Sequence, residues 1–304
     1  MTDTERRYCT LDGQCSLAPC CKMQSIAAQT WEFLSIAQTL SLGYNEETIT
    51  ETALITLTSQ FPGYFVSLPF SKIAEGKSGA DWDWFVRNGS GGWWRLRVQA
   101  KRLHVKDYFR GLFTQKAGSS GNTQIDTLIA SAAAETRKNP AFPQIPVYCF
   151  YIRKPQLGSS WWQGPAAVTG CTLAHAETVR QVGSHKLADI AHITFPWHLL
   201  CCACPVGDGE DGGGLPDLVR QLHRARVPGS DKLPSFRASK NLPGFIEKWY
   251  FDAIATPPSE RQHVIEFARR YAWEHYSRDE NPPAGVTVLD PFGRDHEEYL
   301  SKLG

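Results

Sequence analysis

The 304-residue chain predicts an α/β fold, with a helix ahead of the core and a mainly helical extension behind it. Two observations carry this. Between residues 46 and 152 helix-like and strand-like patterns alternate. A composition of 42% hydrophobic and 21% charged residues suits a soluble globular protein with a sizeable core.

Residues 1–22 read as an unstructured lead, and Gln24 to Leu40 as an amphipathic helix with Ile26, Trp31, Phe33, Leu34 and Ile36 as its apolar set. Together they form an N-terminal region, 1–43. Glu46 to Gln60 reads as a second helix, with Leu54, Ile55 and Leu57 apolar and Phe61-Pro62-Gly63 as its stop. Tyr64 to Phe70 reads as a strand, and Lys72 to Gly79 as a polar loop. The segment GADWDW (79–84), a Gly-rich turn from Arg87 to Gly92 and LRVQAKR (96–102) read as a hairpin. A helix from Gln124 to Lys138 and a strand at Pro146–Ile152 follow. Residues 154–204 continue the core, with a helix at His175–Val182 and the apolar run PWHLLCC covering the sheet. The core so defined is 44–206, and GDGEDGGG (207–214) reads as a linker whose composition cannot build a core. Residues 215–304 read as a helical C-terminal region, with helices at Leu215–Arg226, Pro243–Ala255 and Ser259–Arg278 and a short strand at Gly285–Asp290.

The hairpin carries the chemistry. Asp81 and Asp83 share a face on a strand, as do Gln99 and Lys101, with Val98 and Ala100 pointing the other way. The hairpin would gather carboxylates, an amide oxygen and an ammonium. Such oxygens suit Mg2+, and a lysine beside the cation can orient water or stabilise charge at a phosphate. Each residue also has a plainer reading. The two Asp fit a solvated face with Trp82 and Trp84 packed inward. Lys101 with Arg95, Arg97 and Arg102 fits a basic strand edge, and Glu47 and Glu51 fit a favoured helix start.

Asp81 with Gln99-Ala100-Lys101, in the order helix-Glu, strand, Asp strand, QxK strand, helix, strand, resembles the PD-(D/E)xK superfamily, in the Gln variant of Mrr-type enzymes. The resemblance covers roughly residues 44–153. It implies a restriction-endonuclease-like core, a mixed β-sheet flanked by helices. It also implies Mg2+ or Mn2+ held by Asp81, Glu51, Gln99 and the Ala100 carbonyl, with Lys101 as the catalytic lysine. Asp83, Glu47, Glu75 and Gln124 are secondary candidates. The chain departs from the family in having Ala80 where a Pro precedes the Asp. The wider pattern of paired Glu, GADWDW, VQAKR and QIDTLI also resembles an uncharacterised bacterial family. The implied activity is a metal-dependent nuclease, with DNA favoured over RNA, in a restriction or defence setting. The alternative is an inactive module on the same fold that binds nucleic acid or a protein.

A formal net charge of +1 supplies no global field for a polyanion. Locally, Arg102, Lys106, Arg110 and Lys116, with Tyr108 and Phe113 interleaved, would track a phosphate backbone. Nine cysteines without clean CxxC pairing argue for reduced thiols and no structural zinc; His198 with Cys201, Cys202 and Cys204 could form a zinc half-site, but small buried thiols behind Phe195-Pro196-Trp197 are the plainer reading. MTDTERRYC lacks an apolar signal core and no run reaches membrane-spanning length, so a cytoplasmic protein is expected. Partners beyond nucleic acid would be a second copy or a regulatory protein.

Overall fold

The computed structural model describes residues 18–69, 79–87, 92–116, 121–153, 166–201, 239–262, 264, 266 and 285–290. Glu75, the GDGEDGGG stretch, the predicted helix 215–226, Cys202 and Cys204 lie outside them. The chain is α/β, a mixed seven-stranded sheet flanked by helices.

Helix α1 spans Ala18–Thr39, α2 Glu46–Gln60, β1 Phe65–Pro69, β2 Trp82–Arg87 and β3 Trp93–Arg102. There follow α3 (Gln124–Lys138), β4 (Gln144–Tyr151), β5 (Cys171–His175), α4 (Ala176–Val182), β6 (Phe195–Pro196), α5 (Gly244–Ala255) and β7 (Gly285–Leu289). The strand order is β1-β7-β2-β3-β4-β5-β6, with β2–β7 and β3–β4 parallel and the other pairs antiparallel.

Alternation along β3 builds two faces. Trp94, Leu96, Val98 and Ala100 join Trp84, Val147 and Leu173 in one apolar layer. Helix α1 covers it with Met23, Ile26, Ala27 and Leu34, and α2 with Ile49, Ala53 and Leu57. Helix α1 therefore starts earlier than Gln24, because Cys20 and Met23 belong to its buried stripe, while Phe33 and Ile36 turn outward. Trp197, in the turn after β6, donates its indole N–H to Met23 O at 2.8 Å and closes this layer.

The opposite face has two apolar patches. Tyr148, Phe150 and Ile152 pack under α3 (Ile125, Leu128, Ile129), whereas Phe85, Val286 and Val288 pack under α5 (Ile246, Trp249, Tyr250). Between the two patches runs a buried ionic seam. Asp83 is fully buried, and its carboxylate accepts from Arg95 at 2.7 Å, Arg97 at 3.1 Å and Gln144 at 2.9 Å. Arg95 reaches on to Glu135 of α3 at 3.7 Å. Asp83 thus neither faces solvent nor supplies the candidate site, since the arginines opposite it on β3 consume its lone pairs. Arg95 and Arg97 are likewise not an edge device, because β3 lies inside the sheet between β2 and β4.

The C-terminal stretch does not stand apart. Strand β7 lies between β1 and β2, with the Thr287 hydroxyl 3.1 Å from that of Ser67. Asp290, buried just beyond it, accepts from Arg87 at 3.4 Å and from the Tyr250 hydroxyl at 3.3 Å. Gly285 is required where β7 enters, because a Cβ there would overlap the Trp82 ring.

Burial raises the Asp83 carboxyl, but Arg97 and then Arg95 outweigh it and hold the group below its ordinary value of 3.8. A carboxylate depressed on folding adds stability above the unfolded value, and that stability is lost as pH falls through the folded one. We expect wild-type stability to drop below about pH 4, and Asp83→Asn to lose about 3–5 kcal/mol at neutral pH because two arginines are left uncompensated. Denaturant unfolding across pH measures both; a neutral substitution would remove the seam from the folding argument. Ending the chain at residue 284 should abolish cooperative unfolding, since β1 loses its neighbour; a melt like that of the full chain would refute this.

Candidate functional site

The site forms where β3 outruns β2. The described ladder between them ends at the pair Trp82 and Val98. Leu103 directs its N–H to Tyr151 O at 2.9 Å. Alternation therefore turns the main-chain groups of Ala100 and Arg102 to the opposite edge, the β2 side. Buried N–H groups there need acceptors. Asp81 Oδ2 takes the Ala100 N–H at 2.7 Å, and Glu46 Oε1 takes the Arg102 N–H at 3.1 Å. These N–H groups are two residues apart, about 7 Å. The Ala100 carbonyl points from the same edge. Two carboxylates and a carbonyl oxygen thus line one side of one strand.

Glu46 is the residue that sequence reading passes over. Glu51, the expected helix Glu, is exposed, as is Glu47. Helix α2 docks through Thr50, whose hydroxyl lies 2.6 Å from the Tyr151 hydroxyl. Glu46 is one turn back on that same face, while Glu51 is rotated about 100° from Thr50. The signal for Glu46 is its i, i+4 relation to Thr50, legible once the docking face is known.

Gln99 lies on the α3 side, one step along β3. Its Nε2 donates to Asp81 Oδ2 at 2.9 Å and to Ala100 O at 3.2 Å, and its Oε1 accepts from Gln124 Nε2 at 2.8 Å. Gln124 is buried, and its own Oε1 has no partner among the described residues. It is placed by the start of α3, where the Thr123 hydroxyl accepts from Asp126 N–H at 3.3 Å as an N-cap. Gly79 (φ +67°) lies against the same turn, and a Cβ there would stand 2.8 Å from Gln124 O. The Asp81 segment and α3 are thereby held together.

Lys101 shares the face of Gln99, is 5% exposed, and donates to Gln115 Oε1 at 2.8 Å. Beside Gln99 on β4, Tyr148 has a buried hydroxyl without a partner among the described residues. Burial, and then the carboxylates of Asp81 and Asp126, push that hydroxyl above its ordinary range. Tyr148 reads in sequence as one more apolar strand residue, which is why it goes unnoticed.

The structure therefore brings together Asp81, Gln99, the Ala100 carbonyl, Gln124 and Glu46, with Lys101 next along. It leaves Glu51 on the outer face of α2 and Asp83 in the ionic seam. Among the described residues no three His, Cys, Asp or Glu side chains converge, so a cation here would need the carbonyl and amide oxygens as well. Cys20, Cys149, Cys171 and Cys201 are buried, unbridged thiols, and burial pushes the Cys171 thiol up to about 12. Of the basic residues, Lys106, Arg110 and Lys116 are exposed and Arg102 is half-buried. No described helix is long and apolar enough to cross a membrane.

A family model, DUF6615, matches residues 19–295, from α1 to just beyond β7. The chain belongs to this family of unknown function. No curated protein matches it. The DUF6615 match covers the whole sheet and every residue of the candidate site.

We expect Glu46→Gln to keep the Arg102 contact and most stability, because an amide oxygen also accepts from N–H. Glu46→Ala leaves that N–H unsatisfied and should cost about 1–3 kcal/mol. Unfolding curves of the pair test the capping role; equal stability of the two variants would refute it.

Proposed function

We propose that the chain is a metal-dependent phosphodiesterase of the PD-(D/E)xK kind that cleaves nucleic acid, DNA in preference to RNA. The observation that carries this reading is the row of Asp81 carboxylate, Ala100 carbonyl and Glu46 carboxylate on one edge of β3, beside Gln99 and Lys101. The restriction or defence setting rests on the resemblance alone.

The residues suit Mg2+ or Mn2+. All candidate ligands are oxygens, as a hard cation requires. Gln99 directs its amide nitrogen at Asp81 and Ala100, where a cation would need oxygen. Gln124 Oε1, without a partner among the described residues, supplies the remedy. If both amides turn over, Gln99 Oε1 faces the site and its Nε2 donates to Gln124 Oε1. Asp81, Glu46, the Ala100 carbonyl and Gln99 would then hold the ion. When bound, the ion supplies charge neutralisation at the phosphate and a more acidic water.

The chain's own residues do the rest. Lys101, held by Gln115, keeps an ammonium at the edge of the site, where it orients the attacking water or offsets charge growing on the phosphoryl oxygens. Gln124 sets the orientation of the Gln99 amide. Asp81 and Glu46 are oriented by main-chain N–H groups, so beyond the turn of the two amides little reorganisation is needed on binding.

A second reading has its own observation. In this arrangement the Gln99 amide nitrogen bridges Asp81 and Ala100 where the cation would sit, which suits an inactive binding module. Metal binding separates the two readings.

We expect plasmid, single-stranded DNA or RNA to be cut with Mg2+ and not with EDTA. Lys101→Met should lower turnover by about 10²–10⁴-fold with an unchanged melting curve. Asp81→Ala and Glu46→Gln should weaken Mn2+ binding in calorimetry, while Glu51→Gln leaves it intact. Absence of Mn2+ binding by the wild type, or wild-type turnover by Lys101→Met, would overturn the proposal.

A further inference from the structure

Immediately after Arg102 the chain turns back in a loop carrying His104, Tyr108 and Arg110. Three rings form a row there. His104 and Tyr108 have centroids 4.6 Å apart at 35°, and Tyr108 and His185 are 5.3 Å apart, edge to face. His185 is exposed, and His104 and Tyr108 are half-buried. Core aromatics in this region behave otherwise: Phe109 is 1% exposed and lies tilted against Phe150, ring centroids 4.3 Å apart.

The row is held in place. Phe109 N–H donates to His185 O at 2.8 Å, Leu187 N–H to Asp107 O at 3.0 Å, and His104 N–H to Tyr108 O at 2.8 Å. Asp107 sits in the left-handed region (φ +57°) and is clamped by Arg153, which also donates to Val105 O at 2.9 Å. A non-glycine residue held there by several contacts marks a shaped loop.

The surroundings are cationic. Partial burial, and then Arg110, Arg102, Lys106 and Arg153, all act to hold the His104 imidazole below its ordinary value, so these four charges converge on one ring. Lys186 bridges to Tyr108 on the second loop. The nearby carboxylates are engaged: Asp107 with Arg153, and Asp189 with the Ser184 hydroxyl at 2.6 Å.

We propose that the His104–Tyr108–His185 row is a stacking platform for an unpaired nucleobase, with Arg102, Lys106, Arg110 and Lys186 holding the flanking phosphates. A cationic rim alone would track any phosphate backbone. Preorganised rings, His185 exposed and His104 and Tyr108 half-buried, add a partner that only an unpaired base supplies, because bases inside a duplex already stack on one another and cost free energy to extract. The same cations disfavour protonation of His104, which favours an uncharged π face within that rim. The platform deepens the nuclease reading and rests on it for one point only, that the bound strand leads to the β3 edge. The substrate class becomes nucleic acid with single-stranded character: a strand, a flap or a frayed end.

The test is fluorescence anisotropy in EDTA with three labelled probes of equal length: a dT strand, a fully abasic strand and a duplex. Wild type should bind the dT strand most tightly. Tyr108→Leu and His185→Ala should weaken it by about 5- to 150-fold, the range for loss of one base–aromatic stack, without altering abasic binding. Tyr108→Phe, which keeps the ring, should bind like wild type. Equal wild-type affinity for dT and abasic strands, preference for the duplex, binding of no probe, or parallel losses on both single strands in Tyr108→Leu would each overturn the platform. Cleavage with Mg2+ is scored separately. Cleavage without base-dependent binding sinks the platform alone, and base-dependent binding without cleavage or Mn2+ binding sinks the nuclease reading alone.

Discussion

Asp83, enclosed by Arg95, Arg97 and Gln144, is the interaction on which the other arrangements depend. Burying these charges costs desolvation that their attraction does little more than offset. What the seam supplies is register. Asp83 lies directly opposite Arg97, so β2 and β3 have one alignment in which the carboxylate meets its guanidinium groups. A slip of one residue would turn Asp83 into the layer of Trp84, Leu96 and Val98 beneath α1 and α2. With the alignment held, Asp81 falls beside Gln99 and Ala100.

The second constraint is main-chain satisfaction. Strand β3 extends past the described start of β2, leaving N–H groups at Ala100 and Arg102 that two carboxylates accept. The same contacts finish the sheet and place acidic oxygens along one edge of β3. Asp81 and Glu46 therefore have structural work whether or not a cation binds. Variants at these positions need a stability reading beside any activity reading.

The ring row and the β3 edge are separated by one residue, Leu103, which is tied to Phe109 and to Tyr151. The loop thus sits next to the end of the strand that carries Lys101. The DUF6615 match spans both.

Local pattern determined much by itself. Helix α3 covers Gln124–Lys138 as the periodicity predicts, since Thr123 caps it and Leu128, Ile129 and Ala132 repeat at helical spacing. The faces of β3 follow from alternation, which is why Gln99 and Lys101 were legible as one set and Ala100 as the residue between them. Tertiary structure alone decided the rest. Two Asp separated by one residue look equivalent along a strand, yet Asp83 meets two arginines and Asp81 a strand end, a difference that exists only after β2 pairs with β3. Three glutamates open α2, and which one reaches the sheet depends on the helix's rotation, set by Thr50 against Tyr151. Gly285–Asp290 reads as a strand, but the place of β7 between β1 and β2 follows from chain segments far apart in sequence. Short-range patterning records what each residue prefers, whereas such pairings are settled by burial and hydrogen-bond satisfaction across the whole sheet.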